Sequence, residues 1–253
     1  AMNGDLASRQ YPLDSDGNLY RGKRFIYSWD MGSADLLWRG DQWQSYTNAY
    51  TKENNSMEND WSDLIGLLDV LNNSSDEEYT QAVESVVNVE EWMRYFAVNT
   101  LLANQETSLA TGVGDDFAMY CGKKDPRFEL IVYDMDSVMG LGERTEIYGQ
   151  GLWQMSSLPT VKRFMEHNSY APLYFRALKE LGEGLFSPEQ MNPILDNVLG
   201  DWVSASALEN MKQFNSNHVS YILSLIPGEF ALTNTFNIQN GYPTVTEPQV
   251  TLG

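Results

Sequence analysis

Between Trp61 and Tyr133 the apolar residues change period, and that change narrows the possible folds more than any other feature of the chain. Leu64, Leu67, Leu68 and Leu71 recur at helical spacing until Asn72-Asn73 closes the segment. Val89, Trp92, Met93, Phe96, Ala97, Thr100 and Leu101 then form a second apolar stripe running to Asn104. Residues 117–121 and 128–133 are short extended runs joined by Lys123-Lys124-Asp125-Pro126, the pattern of a β-hairpin. Helical stripes segregated from paired strands predict an α+β, mainly helical chain.

Helix starts carry their own signals. Ser75 stands three residues before Glu78, and Asn88 three before Glu91, the spacing of a capping box. These predict helices from Ser75 to about Val87 and from Asn88 to Asn104. Ser187-Pro188-Glu189-Gln190 repeats the signal with proline at the first helical position. Further helices are expected over 161–166, 172–181, 202–214 and 218–225. Residues 1–60 have little helical period and read as an irregular strand and turn segment, extended through 16–22 and 25–27. Residues 61–230 form the helical body, and 231–253 a linker-like tail rich in Gly, Pro, Thr and Val.

The chain has 253 residues, 42% of them hydrophobic, enough to bury a substantial core. Its formal net charge of −19, without a Lys/Arg cluster, predicts no nucleic-acid partner. A nucleotide would need metal ions to be held near such a surface. Cys121 is the single cysteine, and His167 and His218 lack ligand spacing, so a cysteine-based zinc site and an internal disulfide are excluded. No apolar run approaches the roughly 20 residues of a membrane helix, and no membrane span is expected.

Asp134 and Asp136 lie two apart at the end of an extended run, where their carboxylates can face one side. Two such carboxylates repel unless a cation or proton lies between them, and magnesium is the usual oxygen-seeking partner. Asp115 and Asp116, opening the first hairpin strand, can add oxygen ligands. The plainer reading is that an acidic chain places Asp at strand ends without function. Asp14-Ser15-Asp16-Gly17-Asn18 has a faint calcium-loop look, but it lacks the distal bidentate Glu and reads better as a glycine turn.

Taken together, Asn104-Gln105-Glu106, Asp116-Phe117-Ala118-Met119-Tyr120 and Tyr133-Asp134-Met135-Asp136 resemble, in order and kind, the spore coat protein H (CotH) family of atypical protein kinases. There a helix ends in Asn-aromatic-Asp, an Asn opens a strand, and a second strand ends in Trp-Asp-Leu-Asp. Asp16-Gly17-Asn18-Leu19-Tyr20-Arg21-Gly22, Val98-Asn99-Thr100-Leu101-Leu102 and Ala171-Pro172-Leu173-Tyr174 are similar to family segments as well.

The resemblance implies a protein-kinase-like C-lobe whose short hairpin carries the metal-binding Asp. It implies transfer of the ATP γ-phosphate, with Mg2+ or Mn2+, to Ser or other hydroxyls of a coat or surface protein. It also implies an extracytoplasmic setting, on a spore coat or cell surface. By position, Glu106 takes the catalytic place and Asp134 the principal metal place. Asp116 takes the place of the strand-opening Asn that holds metal and nucleotide, and Asp136 is the second Asp of the pair. A strand-rich nucleotide-clamping lobe is expected to precede residues 1–60 and is not in this sequence, so ATP binding is expected only with that lobe. Glu106 replaces the family Asp, and Asp116 adds a charge where the family has neutral Asn. These differences carry the alternative: a weak or inactive kinase-like scaffold or surface-binding module that binds divalent cations.

Overall fold

The computed structural model describes residues 3–23, 34–104, 108–111, 116–141, 151–228, 237–239 and 242–244. Its elements in order are α1 (Gly4–Gln10), β1 (Asn18–Gly22), β2 (Tyr50–Lys52), α2 (Ser62–Asn73), α3 (Tyr79–Val86), α4 (Val89–Leu102) and the short α5 (Ser108–Thr111). Then follow β3 (Phe117–Cys121), β4 (Glu129–Val132), α6 (Pro159–Met165), α7 (Ala171–Glu183), α8 (Pro188–Leu199), α9 (Ala205–Leu225), β5 (Asn237–Gln239) and β6 (Tyr242–Thr244). The chain is mixed in class and mainly helical, as its periodicity predicts.

The expected hairpin is β3–β4, with Phe117 opposite Val132 and Tyr120 opposite Glu129. It is widened on one side by strands from the first sixty residues. The sheet runs β2-β1-β3-β4, antiparallel throughout, with Tyr20 facing both Lys52 and Met119. The segment before Trp61 is therefore more ordered than its sequence suggests, and it also contributes α1. Extended structure at 25–27 falls outside the described residues.

Asp14 explains the faint calcium signature. Its carboxylate accepts the backbone N–H groups of Lys123, Lys124 and Asp125, each at 3.0 Å, and so fastens the hairpin turn to the start of β1. Gly17 is required beside it, because a Cβ there would lie 2.1 Å from the Cys121 carbonyl oxygen. Tyr11 stacks on Tyr120 at 4.0 Å between centroids and covers the same corner.

Helix α4 runs through the centre, packed against α7, α9 and β4. At its buried face Trp92 meets Phe96 and Phe164 edge-to-face, and those two rings are tilted on each other. Its start is welded to the hairpin: Asn88 N–H donates to the Phe128 carbonyl at 3.0 Å, Trp92 Nε1 to the same oxygen at 2.9 Å, and Phe128 N–H to the Val86 carbonyl at 2.7 Å.

Several local expectations are corrected. Asn88 caps α4 through Glu91 N–H, but the Glu91 carboxylate does not bond back; it accepts Leu130 N–H at 2.9 Å. Ser75 donates to the Glu78 carboxylate at 3.2 Å, and α3 begins after it, at Tyr79. Ser187 holds the cap position of α8 without a side-chain bond. The two helices expected over 202–214 and 218–225 are the single 21-residue α9. Asn215, between those two expected helices, is buried and donates to the Phe186 carbonyl at 2.8 Å. In the tail, β5 pairs with β6.

Candidate metal and nucleotide site

Strand β3 opens where β4 closes. Because Phe117 pairs with Val132, Asp116 and Asp134 leave the sheet at the same end, one residue before the first partner and two after the second. Asp116 is buried at 8% exposure, whereas Asp134 and Asp136 are exposed with the half-buried Met135 between them. Regular strand geometry has ended by then. Asp134 has φ +51°, a left-handed conformation that Asp tolerates better than most residues, so its direction is set by this kink and not by the extended alternation the sequence suggests.

The end of α4 is brought to the same place. Ala103 is left-handed at φ +52°, its N–H donating to the Thr100 carbonyl at 3.1 Å, and Asn104 N–H donates to the Asn99 carbonyl at 2.9 Å. That pair of bonds is a Schellman ending built on Ala in place of Gly. Tertiary donors add to these helix-end carbonyls: Gln154 Nε2 at 2.7 Å and His218 Nε2 at 2.8 Å also reach Thr100, and Met139 N–H reaches Leu102 at 2.9 Å. Burial holds the His218 imidazole below its usual pKa, which suits a ring buried as the neutral form.

Asn104 makes the decisive link. Only 1% exposed, it donates through Nδ2 to Asn99 Oδ1 at 2.8 Å and to Met135 Sδ at 3.2 Å. Asn99 Nδ2 in turn reaches the Tyr95 carbonyl at 2.8 Å. A buried amide chain thus ties the last turn of α4 to the residue between the two aspartates. The sequence marks Asn104 as a helix end and as the opening of the Asn104-Gln105-Glu106 match, without its partners Asn99 and Met135.

The sequence profile described as CotH kinase protein matches residues 2–215. The chain belongs to the CotH kinase family. That match spans Glu106, Asp116, Asp134 and Asp136 together, and none of the curated proteins matches the chain.

For this CotH kinase chain, the strand register sets Asp116 and Asp134 at one end of the hairpin, and the Asn104 end of α4 is tied to Met135, between Asp134 and Asp136. Glu106 and Asp115 lie outside the described residues. Among the described residues no three acidic, His or Cys side chains form a ready-made metal cluster. Mg2+ does not require one, since it is usually held by one or two carboxylates with phosphate and water oxygens completing its shell. The hard oxygen donors of Asp134 with one of Asp136 or Asp116 fit that mode. Arg21, on β1, lies with its guanidinium 5.6 Å from the centre of the Tyr133 ring and 3.5 Å from Glu53, adding a positive group beside the acidic end. Among the described residues, no helix is long and apolar enough to cross a membrane.

Proposed function

We propose that the end of the sheet where β3 opens and β4 closes holds Mg2+ or Mn2+ against the phosphates of ATP, in a CotH-type transfer of the γ-phosphate to Ser or other hydroxyls of a coat or surface protein. The observation that carries this reading is the pairing of Phe117 with Val132, which sets Asp116 and Asp134 at one end of one hairpin. Asp134 is the principal ligand, exposed and so within reach of an incoming metal–nucleotide. Asp116 and Asp136 supply further oxygens. The bound metal would neutralise phosphate charge; the Asn104–Met135 link keeps the Asp134–Asp136 segment in place. Glu106, two residues past Asn104, stands at the family's catalytic position and would take the acceptor hydroxyl proton.

The second reading, a cation-binding scaffold with little or no turnover, draws on Asp116. A carboxylate in place of a neutral amide binds a cation better but repels phosphate, by about 4 kcal/mol for unit charges 4 Å apart at an effective dielectric of 20. Assays with labelled ATP and Mn2+ separate the two. Incorporation that disappears in Asp134→Ala supports catalysis at this site, and incorporation indifferent to that change refutes it. Mn2+ binding without any incorporation supports the scaffold.

A further inference from the structure

A small cleft lies at the outer strand β2, on the side of the sheet away from β4, where Lys23 and Lys52 share the lining with Tyr50 and Trp61. Its volume is about 190 Å³, and its lining includes Lys23, Thr47, Lys52, Ser56, Asn59 and Trp61. Ligand pockets for whole small molecules run to roughly 300–1,000 Å³, so this one has room for a phosphate-sized group and not for a nucleotide.

Lys52 is the unusual member. It is only 6% exposed, yet its ammonium group forms no ion pair among the described residues. It donates to the Asp60 carbonyl and lies 5.8 Å from the centre of the Tyr20 ring. The Asp60 carboxylate is engaged by Ser62 N–H at 3.0 Å. Lys23 donates to the Thr47 carbonyl at 2.8 Å and likewise has no ion pair among the described residues. Each ammonium carries three N–H donors, so most of this donor capacity stays unused. A buried cation without a contacting counter-charge is costly; the Asp60 carboxylate offsets the Lys52 charge only from a distance, and an anion in the cleft would relieve the rest.

The wall opposite the lysines is fixed. Asn55 and Asn59 are both left-handed, at φ +49° and +48°, and bracket the short turn of Ser56–Glu58. Asn55 Nδ2 pins that turn to the Asp16 and Gly17 carbonyls at 3.2 and 3.0 Å. The Ser56 hydroxyl and the Asn59 amide add neutral donors, which suits an oxyanion, while the Thr47 hydroxyl is already donated to the Gln44 carbonyl at 3.0 Å. In a chain of net charge −19, two lysines sharing a cleft with no acidic side chain in its lining are a local exception.

We propose that this cleft binds a tetrahedral oxyanion, a phosphate either free or at the end of a small ester, with Lys23 and Lys52 supplying the charge. It is distinct from the acidic end at Asp134, because β2 and β4 are outer strands separated by three strand spacings, about 14 Å. The proposal does not depend on the kinase reading.

The test uses the full 253-residue chain without divalent metal, comparing phosphate with chloride at matched ionic strength by thermal unfolding and phosphorus NMR. Millimolar inorganic phosphate is expected to raise the melting temperature and broaden its own resonance. Phosphoserine in a parallel arm distinguishes an ester end from the free ion by binding more tightly or less. Lys23→Gln is expected to weaken binding at least about tenfold, the loss of one charge-assisted contact, and Asp134→Asn to leave it unchanged. Lys52→Met should abolish binding; if that variant fails to fold, Lys23→Gln decides. Phosphate acting no differently from chloride, or binding lost in Asp134→Asn but kept in Lys23→Gln, overturns the proposal.

Discussion

Glu91, in the first turn of α4, places its carboxylate on the backbone N–H of Leu130 at 2.9 Å, so one side chain fastens the central helix to the strand that ends at the aspartates. Burial drives its pKa from the ordinary 4.5 to about 8, the Leu130 bond opposes this, and neighbouring Glu129 adds to it. Between those two values the folded chain holds more protons on this group than the unfolded chain. Its contribution therefore falls as the pH rises from about 4.5 to about 8. Glu91→Gln keeps an acceptor for Leu130 and removes the titration. Denaturant unfolding is expected to show the variant more stable than the parent at pH 8, by on the order of a few kcal/mol, with the two converging toward pH 5.

Asn104→Ala tests the link between helix and metal segment. It leaves Asn99 Oδ1 without its 2.8 Å donor in a buried setting and frees Met135. A loss of about 1–3 kcal/mol in stability is expected from the orphaned acceptor. Mn2+ affinity, measured by calorimetry on folded protein, should fall as well, since the Asp134–Asp136 segment loses its tether. Unchanged Mn2+ affinity would show that the tether does not position the ligands.

Asp14→Ala removes the acceptor of three N–H groups in the hairpin turn. Those bonds, led by the one from Asp125, hold the Asp14 carboxyl below its ordinary 3.8. Its stabilising contribution is thus present above that value and is lost as the pH falls through the lower, folded-state value. At pH 7 the variant is expected to melt lower by about 2–4 °C for each kcal/mol lost, with roughly 1 kcal/mol anticipated by analogy to a lost cap. Added Ca2+ should protect neither protein.

The hairpin and its acidic end were legible because two short extended runs and a Lys-Lys-Asp-Pro turn fix a pairing locally, and the Asp positions follow from it. Where a partner lies far along the chain, local rules failed for identifiable reasons. Glu91 follows the capping-box spacing, but Asn88 N–H is already taken by the Phe128 carbonyl, which releases the carboxylate to Leu130. Residues 215–217 fall between two expected helices, yet the Phe186 and Thr100 carbonyls, distant in sequence, engage Asn215 and His218 inside one helix. Helix α1 buries only Ala7, too little to set a detectable period. The kink at Asp134 had no signal at all, since it belongs to the path of the chain between β4 and the Met139–Leu102 bond.

That kink gives the sharpest separation of stability from function. With φ at +51°, Asp134 occupies a backbone conformation that costs a residue with a Cβ and costs glycine nothing. The side chain is exposed, so little packing is lost on removing it. Asp134→Gly should therefore leave stability unchanged or raise it by roughly 0.5–1 kcal/mol, after allowing for the extra freedom glycine gives the unfolded chain. The same variant removes the proposed principal oxygen ligand, so Mn2+ affinity should drop at least about tenfold, the scale of one lost carboxylate contact. Asp134→Asn, which tolerates the left-handed backbone, isolates the charge: stability near the parent with weakened metal binding is expected. A residue held strained for ligand binding gives this opposition between stability and affinity. If Asp134→Gly binds Mn2+ as well as the parent, Asp134 is merely a surface turn residue and the metal site lies elsewhere.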